Sequence, residues 1–376
     1  MENPFVTNGY AGPAYFCDRV QETADITSLL LNGNDIALIS PRRYGKTDLL
    51  RHCFAQERFQ RDAYTFIIDI YSTKSKSDLA QAMGRAILEV LKPKGRKTWE
   101  GFINLLQSVR AFFTFDSNGD PVWSLGLGDL QNPDTTLDEI FRYLKTADKR
   151  CFVAIDEFQQ IQKYNDPTIE AALRTYTQYC SNANFVFSGS QREMMGSMFT
   201  SPGRPFYQSA TLYNLKPIDK EKYIQFCREK FNDYGKAVDC EAAASVYDWF
   251  EGCTFFMQKV MNVAFMRAVP EKVVTVADMD AALNYILDFS SDTYEELLYQ
   301  IPEKQMKLLQ AIALEGKVNN LTSGQFSRKY NITASAAQAA VKGLMEKGLV
   351  TYERGNYRLY DYFLQIWLAQ QKGGAI

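Results

Sequence analysis

Residues 35–50 read Asp-Ile-Ala-Leu-Ile-Ser-Pro-Arg-Arg-Tyr-Gly-Lys-Thr-Asp-Leu-Leu. The apolar run Ile36 to Ile39 predicts a buried strand, Ser40 to Tyr44 a turn, and Gly45-Lys46-Thr47 the start of an apolar-periodic helix. Strand, loop and helix in that order are what a phosphate-binding loop requires. The helix start offers free backbone N–H groups and the positive end of its dipole. Lys46 is spaced to reach β- and γ-phosphates, and the Thr47 hydroxyl to ligate Mg²⁺. The usual pattern begins with glycine, and here that place holds Ser40. A small residue fits there, but a left-handed backbone at that point would suit serine less well.

A Gly-Lys-Thr at a helix start is weak alone, so the chain must supply a second half. Cys151 to Ile155 is a continuous apolar run that delivers Asp156 and Glu157 at its end. In open parallel sheets ligands sit beyond the carboxyl ends of strands. Asp156 is then placed to hold Mg²⁺, and Glu157 to orient or deprotonate an attacking water. A buried strand ending in two solvated acids is the plainer reading, and the pairing with residues 40–47 weighs against it. Further strands are predicted at 64–70, at 184–190, ending Ser188-Gly189-Ser190, and at 210–214. Ser190 is placed to hydrogen-bond a γ-phosphate or the water.

The chain has 376 residues, enough for two or three domains, with 46% hydrophobic and 23% charged residues. A net charge of −2 argues against binding nucleic acid or lipid over the whole surface, though not against a local basic patch. Seven scattered cysteines without a C-x-x-C pair suit reduced thiols in a cytosol. The only histidine, His52, excludes a His-based zinc site or a Ser-His triad and reads as a surface or packing residue. No signal peptide is evident at the N-terminus, and no apolar run reaches membrane-spanning length. A cytoplasmic location is expected.

A helical apolar pattern continues through Leu29 to Leu31 and ends near Gly33, and helices are expected at 77–92, 136–145 and 165–180, with 93–133 irregular apart from a β-hairpin turning at Asn118-Gly119. That hairpin, near 108–128, reads as an insertion hanging off the core. From 218 to 300 strand character gives way to helices at 218–231, 240–250, 254–268 and 276–288, a lid or spacer. From 301 to 376, three helices precede a hairpin turning at Arg354-Gly355-Asn356, which is the pattern of a winged helix, and a terminal helix follows with Phe363 and Trp367 at i, i+4. The expected domains are therefore a nucleotide-binding core at 1–217, a lid at 218–300 and a winged helix with its terminal helix at 301–376.

Three spaced motifs now agree. The chain resembles the prokaryotic, archaeal-type ATPases of the AAA+ superfamily, in their STAND-like branch. Asn3-Pro4-Phe5 is similar to the family's leader, and Ser40 to Thr47 to its Gly-Pro-Arg-Arg-x-Gly-Lys-Thr loop. Phe16-Cys17-Asp18-Arg19-Val20-Gln21-Glu22 resembles its adenine-side motif, with Asp18 where glycine is usual. Ile155-Asp156-Glu157-Phe158, Ser188-Gly189-Ser190 and Asp361 to Trp367 are also similar to family forms. The Gly-Arg often found after an aromatic near 204–212 is absent here: Gln208-Ser209 follow Phe206-Tyr207, and Arg204 precedes them. The lid's Gly-x-Pro appears as Gly252-Cys253-Thr254.

The resemblance implies an α/β fold, a parallel five-stranded sheet in the order 5-1-4-3-2, flanked by helices and followed by the lid and winged helix. It implies ATP, ADP and Mg²⁺ as ligands, with Phe5 and Arg19 at the adenine pocket. Ser40, Pro41, Arg42, Arg43, Tyr44, Gly45, Lys46, Thr47 and Asp48 would cradle the phosphates, with Thr47 and Asp156 on the metal. Glu157, Lys46, Ser190 and Arg192 would carry hydrolysis. Arg174, Arg192 and Arg204 are the arginines open to a charge-stabilising role, in cis or from a neighbouring subunit, and turnover of the isolated chain is expected to be slow. Residues 301–376 hold ten basic and five acidic side chains, a local +5 that favours double-stranded DNA as partner. The helix meant to read bases offers little beyond Gln338 and Lys342. A winged helix that serves a protein partner or a homo-oligomer therefore stays open.

Overall fold

The computed structural model describes residues 3–124, 130, 132–353 and 355–371. The expected turn residue Arg354, the end of the hairpin insertion at 125–128 and residues 372–376 lie outside the described residues. The chain forms two compact units, residues 8–222 and residues 1–7 with 223–376.

The first unit is built on the predicted strands β1 (Ile36–Ile39), β2 (Ala63–Asp69), β3 (Arg150–Asp156), β4 (Ala183–Gly189) and β5 (Thr211–Asn214). They pair in parallel in the order β2-β3-β4-β1-β5, which read from the other edge is 5-1-4-3-2. Alternation along β1 sorts its side chains to opposite faces. Ile36 and Leu38 join the cluster holding Ile26 and Leu30 of α1 (Val20–Leu31) and Leu49 and Leu50 of α2 (Lys46–Phe54). Ala37 and Ile39 face the larger cluster with Phe66, Val153, Phe185 and Phe187. With both faces covered, β1 and β4 are buried along their whole length, as continuous apolar runs in parallel sheets require. The register pairs Ile39 with Gly189 and Ile155 with Phe187, so the ends of β1, β3 and β4 reach one edge of the sheet together.

Two expectations for this unit are corrected. Residues 93–133 are not irregular throughout, because Arg96–Leu105 is a helix. Trp99, Phe102 and Ile103 supply a buried i, i+3, i+4 stripe, which the Gly101 inside it and the basic residues before it obscured. The hairpin of Phe113–Phe115 and Pro121–Trp123 does turn at Gly119 (φ 82°), but it is not a free appendage. Trp123 is buried and packs where Gly84 leaves room: a Cβ there would stand 2.5 Å from the indole Cζ3.

In the second unit Asn3 Nδ2 donates to Asn262 O at 2.9 Å and Asn262 Nδ2 to Phe5 O at 2.7 Å, strapping the leader to helix Thr254–Arg267. The helix expected at 276–288 runs from Val276 to Tyr299, beginning in a Thr275–Asp278 capping box. The apolar period fades after Leu287, yet no Gly or Pro interrupts the following residues, and propensity carries the helix on. Helices Glu303–Glu315, Gly324–Tyr330 and Ala334–Glu346 and the hairpin Val350–Glu353 with Asn356–Leu359 form the winged helix. Its terminal helix Tyr362–Gln371 docks through Phe363 on Phe250 and Phe256, and Trp367 on Tyr294. Among the described residues no helix is long and apolar enough to cross a membrane.

Candidate nucleotide site

Between β1 and α2 the chain must reverse sharply, and its left-handed residues are Arg43 (φ 67°) and Gly45 (φ 80°). Ser40 is not among them, so the loop places no glycine requirement on it. Its amide donates to Gly189 O at 3.3 Å, continuing the ladder one step beyond the strand, and its Oγ donates to Pro41 O. Gly45 precedes α2 without any side chain capping the helix, so the first-turn N–H groups face outward into the loop.

Lys46 is only 6% exposed, and its Nζ has two long contacts, 3.3 Å to Ser40 O and 3.4 Å to Pro41 O. Burial pulls its pKa below the ordinary lysine range, against the nearby Glu157 and Asp156 charges. Thr47 Oγ1 donates to Asp156 Oδ2 at 2.5 Å, joining the start of α2 to the end of β3. These two hard oxygens suit Mg²⁺. Among the described residues no group of three or more His, Cys, Asp or Glu could cage a metal. Asp48, further along α2, is half-buried, which raises its carboxyl pKa despite Arg51.

Glu157 follows Asp156 in the left-handed region (φ 57°), and its amide donates to Asp156 Oδ1 at 3.0 Å. The bend is held by Phe158, whose ring lies among Phe187 (4.6 Å between centroids), Phe199 and Phe206. Glu157 Oε2 accepts from Ser190 Oγ at 2.6 Å and from Gln159 Nε2. Arg42 Nε donates to the same Ser190 Oγ at 3.3 Å and its guanidinium lies over the Tyr71 ring. Pro41, Arg43 and Tyr44 are half-buried at the bend. Loop, β3 and β4 thus converge through Thr47, Asp156, Glu157, Ser190 and Arg42.

The arginines separate. Asp35 precedes β1 and so lies at the opposite edge of the sheet from Ser40; burial raises its carboxyl pKa, against its bonds from Phe185 and Asn184 and the charge of Arg174. Arg204 Nη2 is bound to Glu170 Oε2 at 2.5 Å. Arg192 is exposed at the start of the helix after Ser190. Arg19 is 2% exposed, in the left-handed region beside a left-handed Asp18 (φ 53°), where glycine would be at ease. Its Nη1 donates to Glu22 and to Lys216 O, and its buried Nη2 has no partner. Phe5 belongs to the other unit, where it is fully buried among Phe226, Phe231 and Phe265. His52 is a packing residue, stacked on Phe16 at 4.3 Å with Nδ1 2.8 Å from Tyr10 Oη. Gln159 is the site residue the sequence reading missed, because a glutamine after an acidic pair carries no signal until the fold turns it inward.

Residues 16–259 match the family described as an ATPase domain predominantly from Archaea, and residues 292–370 a probable winged helix domain. No curated protein matches the sequence. Among solved structures, a Walker-type ATPase of Pyrococcus abyssi is 16% identical with a TM-score of 0.61, covering 97% of this chain and 99% of that one. The ORC2 protein of Aeropyrum pernix, in ADPNP–ADP complexes, is 13% identical with a TM-score of 0.56, covering 99% and 98%. The ORC1 protein of Aeropyrum pernix, in complex with DNA, is 14% identical with a TM-score of 0.52, covering 96% and 94%.

Proposed function

We propose, since the chain belongs to the family of ATPase domains found predominantly in Archaea and is a P-loop ATPase of the AAA+ type, that it works as a nucleotide-dependent switch. The observation carrying this is the convergence of Thr47–Asp156 and Ser190–Glu157 beside the open start of α2. The N–H groups of α2 and Lys46 bind the β- and γ-phosphates. The buried Lys46 ammonium, held by two weak carbonyl contacts, gains in phosphate the partner it lacks. Arg42 and Ser190 are the donors nearest the place of a γ-phosphate, and the orphaned Nη2 of Arg19 is left for the base or ribose. Thr47 and Asp156 would hold Mg²⁺, which would supply charge neutralisation at the phosphates. Glu157 orients a water and takes its proton as the water oxygen bonds the γ-phosphorus and the bond to the β-bridging oxygen breaks, releasing ADP.

Basal turnover is slow in this reading, since Arg204 is paired with Glu170 and Arg192 is exposed at the start of the helix after Ser190. An arginine supplied by a partner or a second copy would add about 10³–10⁵ in rate. Isothermal titration with ATP tests the site: Lys46→Ala should abolish binding, and wild-type affinity in that variant would overturn the reading.

The winged helix is read as a contact for duplex DNA, on its local +5 and the exposed Arg328, Gln338 and Lys342. One observation favours a protein-contacting role instead. Glu251, at the end of helix Cys240–Phe250, binds Lys317 Nζ at 2.6 Å and Arg358 Nη1 at 3.2 Å, so two of the basic residues serve the unit's own packing. Affinity for a short duplex measured from about 50 to about 200 mM salt separates them: a steep loss supports DNA, and no binding at the lowest salt supports the protein-contacting role.

A further inference from the structure

Gln159 lies on the short 3-10 turn after Glu157, and its neighbours fix that turn. Phe158 is fully buried, and Gln160 Nε2 donates to Thr73 O at 2.8 Å. The Gln159 side chain is itself 2% exposed and points back to Glu157. Its Nε2 reaches both Glu157 Oε2 and, at 3.4 Å, Ser190 Oγ. The carboxylate partner settles the orientation of the amide, because the flipped form would set a carbonyl oxygen against it. Its own Oε1 is buried without a partner, so the amide is not placed there to satisfy itself. The space is made by β4: a Cβ on Gly189 would stand 2.5 Å from that Oε1.

We infer that Gln159 is a positioning residue for hydrolysis, a fixed donor that holds the Glu157 carboxylate toward the reacting water when Ser190 turns to the nucleotide. Ser190 has one proton, and Arg42 and Glu157 already share its oxygen. The Gln159 amide carries two protons, so its contact with Ser190 does not compete with Glu157, and the side chain is buried. The inference rests on the reading of Glu157 as the base.

The test compares Gln159→Met, which keeps volume and loses the donor, with Glu157→Gln and with the double variant, by steady-state ATP hydrolysis and by titration with ATP. Gln159→Met is expected to lower kcat about 10- to 100-fold with ATP affinity unchanged within about twofold. In the Glu157→Gln background it should add nothing further. If Glu157→Gln is inactive while Gln159→Met turns over at the wild-type rate, the positioning role is overturned and the base assignment stands. An equal further loss in the double variant, or a parallel loss of affinity, marks a merely structural residue and also overturns it. Wild-type turnover in Glu157→Gln would instead sink the base assignment, and this inference with it.

Discussion

Ser190 Oγ donates to Glu157 Oε2 at 2.6 Å, tying the tip of β4 to the tip of β3. A hydroxyl has one proton, so Ser190 cannot donate to this carboxylate and to a phosphate at once. In the proposed function, arrival of a γ-phosphate and release of Glu157 would therefore be one exchange. Ser190→Ala is expected to leave ADP affinity within about twofold and to lower kcat by about 10²-fold, as loss of one donor to a transition-state oxygen does. Calorimetry and phosphate release read the two effects separately.

Lys46 is expected to cost the nucleotide-free protein stability. Burial lowers its pKa, so the folded state disfavours the charged form. The sign follows: the cost is full below the folded pKa, where lysine is charged in both states, and disappears above the ordinary lysine value. At neutral pH, Lys46→Met should therefore melt no lower than wild type without nucleotide. It should also lose the stabilisation that ATP gives, about 2.7 kcal/mol at a hundredfold excess over Kd. Thermal melts with and without ATP and Mg²⁺ check both.

The loop and the acidic pair were legible because each is written in contiguous residues whose chemistry depends on local order, whereas the strand order came only from the family resemblance. The β1 run, Gly45 to Thr47 and Asp156-Glu157 say where they lie without help from the fold. What was not legible depends on distant contacts. Phe5 sits in the leader, yet its burial is decided by Phe226, Phe231 and Phe265. The doubt over Ser40 dissolved for a backbone reason, since the left-handed turns fall at Arg43 and Gly45.

Gly189 ends β4 directly before Ser190, and added atoms there would meet Gln159 Oε1 and Met195 Sδ, both at 2.5 Å. Gly189→Ala is expected to destabilise the protein by about 1–3 kcal/mol through overpacking. It should also lower kcat, by displacing Gln159 and Ser190 together. Urea unfolding and steady-state rates measure the pair of effects.

Glu251 gives a pH signature. Burial opposes its ionisation, but the Lys317 hydrogen bond and the charge of Arg358 outweigh burial and hold its carboxyl below the ordinary glutamate range. The stabilisation is full above the unfolded value near 4.5 and is lost as pH falls through the lower folded value. Glu251→Gln should lower stability at neutral pH by less than about 1 kcal/mol, since the carboxylate is partly exposed and solvent screens the pair. The gap to wild type should close in acid, as urea midpoints followed against pH would show.

The central claim is that residues 40–47, Asp156-Glu157 and Ser190 form one site for hydrolysing ATP. The most direct measurement is a single-turnover assay of Glu157→Gln, with Mg-ATP binding measured on the same preparation. Binding should match wild type while γ-phosphate release falls by about 10²–10⁴-fold, the contribution of a general base. Release at the wild-type rate with binding intact would contradict the account.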